Sequence, residues 1–147
     1  MGGAFYFAED YAKAGKGPVY LFLNRYDAPH AAYPDRHYAG HCIDISTAFR
    51  LVAYLQMEEY SRNIAKRYAA FMRTGSPSLP DSDWPAFNLE DRPTMVYDRI
   101  FEVKADPVRR ERELLDSVAG IHGVVDHYLG KGYKFPIKGK PSPELEY

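Results

Sequence analysis

GPVYLFLNRY, residues 17 to 26, holds an unbroken apolar run from Val19 to Leu23, entered through Gly17 and Pro18. A run of that length without polar alternation suits a strand buried on both faces, as in a parallel sheet. Such a strand needs strand neighbours on both sides and helices above and below it. The chain offers two other good strand candidates, TMVYD (94 to 98) and IFEVK (100 to 104), and both lie far downstream. The run therefore reads as an orphan strand, and that tension shapes every other reading.

Upstream of it, AEDYAKA (8 to 14) reads as a short helix that Gly15 and Gly17 stop. Downstream, residues 26 to 40 carry Pro29, Pro34 and Gly40 among polar residues and read as a long loop leading to His41. A helix is predicted to begin near Asp44 or Ser46 and to carry Phe49, Leu51 and Val52. The clearest element runs from Met57 to Arg73. There Met57, Tyr60, Ile64, Tyr68 and Phe71 draw one apolar helical face, Glu58 and Arg62 make a favourable pair on the opposite face, and Gly75 stands where a C′ glycine would.

Residues 74 to 93 form a proline-punctuated surface connection around Trp84. Met95, Tyr97, Phe101 and Val103 alternate in step, which predicts a hairpin turning near Asp98 and Arg99. Asp106 and Pro107 look like the N-cap and N1 of a last helix that runs to Ala119. Residues 130 to 147, rich in Gly, Lys and Pro, read as loop or disordered tail, so the expected organisation is one folded part over 1–129 and a tail over 130–147.

Composition narrows the classes. The 147 residues suit one domain, and 46% apolar residues are enough for a real core. A net charge of −1 gives no field that favours nucleic acid or an anionic membrane, so no nucleic-acid partner is expected. No apolar run approaches the ~20 residues of a membrane span. MGGAFYFAED lacks the basic residues and apolar stretch of a signal peptide, and the compartment is left open.

His30, His37 and His41 fall in one loop, but the cysteine partners of a zinc finger are missing, since Cys42 stands alone, and no HExxH occurs. Neither metal nor cofactor is expected. Cys42 beside His41 reads as a small buried thiol, because neighbouring side chains point apart. The chain has no GxSxG, no GxGxxG and no Walker loop. VRRERELL reads as the solvated face of a helix whose other face is apolar. His41 by itself would be an ordinary loop histidine. It follows a buried-type strand by a long loop, however, and in α/β-hydrolases the base histidine comes last in chain order, after the serine and the acid.

Several segments then match one family in order. AGKGPVYLFLNRYD, GHCIDISTAF, YAAFMRTGSPS, WPAF with RPTMVYD, and DPVRRERELL together resemble the type-B carboxylesterases. In GHCIDISTAF the motif is His41, Asp44, Ile45 and Phe49; Ser46 stands where a proline is common and Arg50 where a glycine often follows the aromatic residue. The likeness runs from about residue 4 to residue 116.

The resemblance implies an α/β class, namely the C-terminal part of an α/β-hydrolase fold. That part would hold one buried parallel-type strand, a long amphipathic helix, a short strand pair and a C-terminal helix. It implies ester hydrolysis, with His41 as the general base of a serine triad. The serine elbow, oxyanion-hole glycines and acid of the family lie upstream of this segment. The chain alone is therefore expected to be inactive, its partners being a carboxylic ester in the intact protein and the missing N-terminal part of the same fold. The alternatives are a non-catalytic hydrolase-like interaction module of the neuroligin type and a small single-domain protein with a role of its own. Against the last stands the orphan strand, because unpaired edges invite aggregation.

Overall fold

The apolar run has a partner. In the structure, a computed structural model that describes residues 2–30, 33–38, 42–51 and 57–117, strand β1 (Leu21–Asn24) pairs in parallel with a later strand (Pro93–Tyr97), Leu21 opposite Thr94 and Asn24 opposite Tyr97. The elements in chain order are α1 (Gly2–Ala14), β1, β2 (Ala28–His30), β3 (Tyr33–Tyr38), α2 (Ile43–Ala48), α3 (Glu58–Thr74), β4 (Pro93–Tyr97), β5 (Glu102–Ala105) and α4 (Arg109–Ser117). They divide into two compact units: residues 7–107, and residues 1–6 with 108–147. The expected tail over 130–147 lies outside the described residues.

The larger unit holds a three-stranded mixed sheet in the order β1-β4-β5. The β4–β5 ladder is antiparallel, from Pro93 opposite Ala105 to Val96 opposite Glu102, as the hairpin reading predicts. Arg25 N extends the parallel ladder by donating to Tyr97 O at 2.7 Å. The orphan reading is thus corrected, since the first strand of the hairpin is the parallel neighbour of β1. The strand covered on both faces is also a different one. Every residue of β4 is buried, because it is the middle strand, whereas β1 alternates between buried Leu21 and Leu23 and half-buried Phe22 and Asn24. Thr94 tolerates full burial because its Oγ1 donates to Arg92 O at 3.0 Å.

The loop expected over 26–40 contains a small antiparallel pair instead, with Ala28 opposite Tyr38 and Pro29 opposite His37, and a register shift between Pro29 and His30. Proline survives in such a pair because a two-stranded ladder leaves outward edges that need no N–H. Helix α1 starts at Gly2 rather than near residue 8, and it stacks Phe7 on Tyr11 one turn apart, centroids 6.2 Å. Glu9 of this helix reaches Arg92 Nε at 3.3 Å and so ties it to the approach of β4. The predicted stop holds, with Gly15 at φ 60°.

Helix α3 confirms its reading most fully. Met57, Tyr60 and Ile64 are buried, Arg62 pairs with Glu58 at 3.2 Å, and Gly75 closes the helix at φ 77° with its N–H on Phe71 O at 2.8 Å. Its C-terminal half departs from the expectation, since Tyr68 and Phe71 are 37% and 48% exposed. Below them, Tyr26, Met57, Tyr60, Ile64, Trp84, Met95 and Tyr97 form one core cluster. Rings stack through it: Tyr26 on Tyr60 at 4.1 Å, Phe22 on Tyr97 at 4.9 Å, and Tyr97 on Phe101 at 4.7 Å. The connection around Trp84 runs on the surface while the indole itself is buried.

Helix α2 ends at Ala48, shorter than predicted, with Leu51 exposed beyond it; Val52 lies outside the described residues. Its hydroxyls pull inward on backbone. Thr47 Oγ1 donates to Ile43 O at 2.6 Å, and Ser61 Oγ of α3 donates to Thr47 O at 2.7 Å, with both side chains fully buried. Arg50 adds a second tie, donating from Nη1 to Glu58 O at 2.9 Å and pairing through Nη2 with the Glu58 carboxylate. Its own backbone is left-handed, φ 63°, a conformation that favours glycine. The arginine is strained locally and useful through its side chain.

In the smaller unit, α4 begins at Arg109, and the first intrahelical acceptor is Val108 O, bonded by Arg112 N at 2.9 Å. The cap therefore sits two residues beyond Asp106, which is itself left-handed at φ 42° and donates its N–H to Arg92 O at 3.2 Å. Among the described residues α4 itself has none buried, with Leu114 66% exposed, while Val108 just before it is buried. Tyr6 Oη donates to Asp116 Oδ1 at 2.8 Å within this unit, and Arg112 pairs with Asp116 at 3.1 Å.

Two measurements probe the α2–α3 joint. Arg50→Ala keeps the left-handed backbone and loses the tie, whereas Arg50→Gly loses the tie and relieves the backbone. The glycine variant should therefore be the more stable of the two by about 1 kcal/mol in urea denaturation. Hydrogen bonds from Arg50 first and Arg62 second hold the Glu58 carboxyl below its ordinary range. A depressed native value stabilises above the unfolded one and is lost as pH falls through the native one. Glu58→Gln should thus destabilise the chain at neutral pH, with the difference from the parent vanishing at strongly acidic pH.

Candidate functional site

The segment that carries the predicted base is framed on both sides. β3 ends at Tyr38 and α2 begins at Ile43, with Cys42 as its left-handed entry residue at φ 64°. His41, the expected base, lies outside the described residues. The backbones of His30 and His37 belong to the β2–β3 pair. Cys42 is exposed and free, which corrects the reading of a small buried thiol: entry into a six-residue helix turns this position outward instead of into the core. Among the described residues no cluster of three His, Cys, Asp or Glu side chains is placed to hold a metal ion.

The exit of β1 is fixed from α3. Asn24 Oδ1 accepts from Tyr26 N and from Tyr60 Oη, each at 3.0 Å, and the Tyr26 ring stacks on Tyr60. Burial first, and the Asp44 charge second, raise the Tyr60 hydroxyl above its ordinary value, so it remains a donor at any physiological pH. The outlet of β1 and the end of α2 are therefore both tied to the first two turns of α3, the former through Tyr60 and the latter through Ser61 and Glu58. That arrangement presents a fixed frame for a loop residue between them.

A second feature lies at the other end of α3. A pocket of about 320 Å³ is lined by Tyr20 and Phe22 of the β1 segment, Arg67 and Phe71 of α3, and Trp84 and Tyr97 among others. Tyr20 stands edge-on to Phe71 at 5.9 Å and to Trp84 at 6.1 Å. The Arg67 guanidinium lies 5.8 Å from the Trp84 ring centroid, within cation–π range. Desolvation lowers the Arg67 pKa, and burial raises that of Tyr97. Sequence reading passed over this group, although one signal was present. Tyr60, Ile64, Arg67 and Phe71 step by four, three and four, so a cation stands inside an apolar helical stripe.

No family model matches the chain. The para-nitrobenzyl esterase of Bacillus subtilis is 25% identical over 114 residues, 71% of this chain and 23% of that protein. The structure of an esterase from Clostridium hathewayi that hydrolyses aliphatic aromatic polyesters superposes with TM-score 0.63 at 25% identity, covering 75% of this chain and 23% of the other. The juvenile hormone esterase of Manduca sexta, at 18% identity, shares the fold with TM-score 0.64 over 86% of this chain and 26% of its own. The chain thus spans about a quarter of the length of the relatives it matches, and its sheet and helices are a small mixed α/β part of what is, in those esterases, an α/β-hydrolase fold. These relatives indicate that the sequence is similar to a region of the type-B carboxylesterases, matched in part.

Proposed function

We propose that the chain is the C-terminal segment of a serine carboxylic-ester hydrolase, residues 1–129 forming the hydrolase part, and that His41 is its general base. The observation that carries the reading is the esterase match itself, together with His41 standing in GHCIDISTAF between β3 and α2. In such an enzyme the histidine takes the proton of the serine hydroxyl as that oxygen attacks the ester carbonyl. It then gives the proton to the departing alcohol, and the cycle repeats with water. The α3 ties to Asn24, Thr47 and Arg50 would hold the exit of β1 and the exit of α2, which bracket the histidine segment in the chain, while the proton moves. A carboxylic ester is the substrate class, and the remainder of the same fold is the partner that supplies serine, acid and oxyanion hole. Without an oxyanion hole the largest contribution to rate is missing, so the chain alone is inactive.

The test is direct. The 147-residue chain should hydrolyse an activated nitrophenyl ester no faster than background, and His41→Ala should leave that background unchanged. In a longer chain carrying a serine elbow and acid upstream, the same substitution should lower kcat by roughly 10⁴-fold or more. Retention of most of the rate would remove His41 from the role of base. An upstream reading frame without GxSxG would favour a non-catalytic interaction module instead.

A further inference from the structure

The three-stranded sheet has two edges, and they are built differently. β5 closes one side with Glu102, Val103, Lys104 and Ala105, every residue exposed and the Lys104 ammonium paired with Glu102 at 2.7 Å. Charged, solvated residues of that kind are how a sheet ends without recruiting another strand. β1 forms the other edge with Leu21, Phe22, Leu23 and Asn24, which carry no charge, and Val19 and Tyr20 before them add none. β1 has the composition of an interior strand in an edge position.

Its outward backbone groups are unpaired as well. Arg25 N donates to Tyr97 O, and in a parallel ladder the bonds to one neighbour come from alternate residues, so Leu21 and Leu23 also face β4. The N–H and C=O of Phe22 and Asn24 therefore point away from β4, and among the described residues no backbone group answers them. The aromatic groove of about 320 Å³ adjoins this strand through Tyr20 and Phe22. Phe7 and Tyr11 of α1 line it together with Tyr68 and Phe71 of α3, and all four rings are exposed. Unpaired backbone and uncovered rings thus coincide along β1. An added strand answers both at once, bonding to Phe22 and Asn24 through its backbone and covering the rings with its side chains.

We propose that the open edge of β1 seats an apolar strand from the upstream part of the same hydrolase, whose side chains fill the groove between α1 and α3. The proposal rests on the hydrolase reading above: the chain spans about a quarter of the length of the relatives it matches, and the remainder supplies the occupant. An uncharged edge flanked by rings selects an apolar strand over a charged one.

Amide hydrogen exchange reads the edge residue by residue and does not depend on hydrolysis. In the 147-residue chain Leu23 and Arg25 should be protected, while Phe22 and Asn24 exchange quickly. In a longer chain carrying the serine elbow and acid upstream, Phe22 and Asn24 should slow at least about 100-fold, because an inter-strand bond opens only with its sheet. Val103 is the internal control. Tyr97 faces β1, so Thr94 and Val96 face β5 and pair with Lys104 and Glu102, which turns the Val103 N–H outward. It should stay fast in both chains. Protection of Phe22 and Asn24 in the dilute short chain overturns the proposal, because the edge is then covered from within. Fast exchange at both in a longer chain that protects Leu23 overturns it too, as does protection that is lost on dilution, which assigns the edge to a second copy. If the short chain folds too loosely to protect Leu23, the longer chain decides alone. A longer chain that protects both amides yet hydrolyses no ester keeps this seat and fails the catalytic reading; an active one with both amides fast does the reverse.

Discussion

The pairing of β1 with β4 is the constraint on which the larger unit depends. It joins segments some seventy residues apart and makes β4 the middle strand, so that Thr94, Met95, Val96 and Tyr97 are buried whichever face they point to. Closing so long a loop costs entropy that grows only slowly with its length. What offsets it is the aromatic cluster on Tyr97, where Phe22, Phe101 and Trp84 converge, and the seating of Tyr60 and Ile64 above it. α3 owes its position to that cluster. Through Ser61 and Glu58 it then holds the end of α2.

Local features were legible because their causes are local. The α3 stripe, the Glu58–Arg62 pair and the Gly75 stop follow from helical spacing and from the sterics of a left-handed residue, and they stand where the sequence puts them. The hairpin likewise follows from alternation over a few residues. Partner choice was not legible. An apolar run such as VYLFL records that a strand will be covered, but not which strand lies beside it, and so β1 read as an orphan while β4, its neighbour, read as half of a hairpin alone. The β2–β3 pair escaped for the opposite reason. Pro29 and Pro34 carry strong loop signals, and two edge strands satisfy them without loss.

Around the predicted base, the residues' own chemistry explains more than their identity does. Thr47 and Ser61 are small hydroxyls fully buried, and each finds a backbone carbonyl, so their burial is satisfied and directional. Arg50 bears an unfavourable backbone so that its guanidinium can reach Glu58. A glycine at that position would be easier for the chain and would leave α2 tied to α3 by the Ser61 bond alone among these contacts. The departure from the family pattern at Arg50 is thus an exchange of backbone ease for a side-chain tie. It falls at the exit of the helix that follows His41.

Arg67 shows the reverse case, a residue whose surroundings satisfy it incompletely. Along α3 two roles divide: its first turns hold the exits of β1 and α2, and its later turns carry a cation among rings. Among the described residues, Arg67 Nε, Trp84 Nε1 and Tyr97 Oη are buried without a hydrogen-bond partner. Leaving a buried donor unmade costs about 1–3 kcal/mol, so three of them amount to a large share of what a domain of this size has in reserve. Replacing Arg67 by an apolar side chain of similar volume would remove the cost without a void, as it does for other buried charges. A fold under selection for stability alone has that route open at a single position. The cation stands there between the Trp84 and Phe101 rings and bonded to Ser82, with the Asp81 charge favouring its ionised form against the cost of burial.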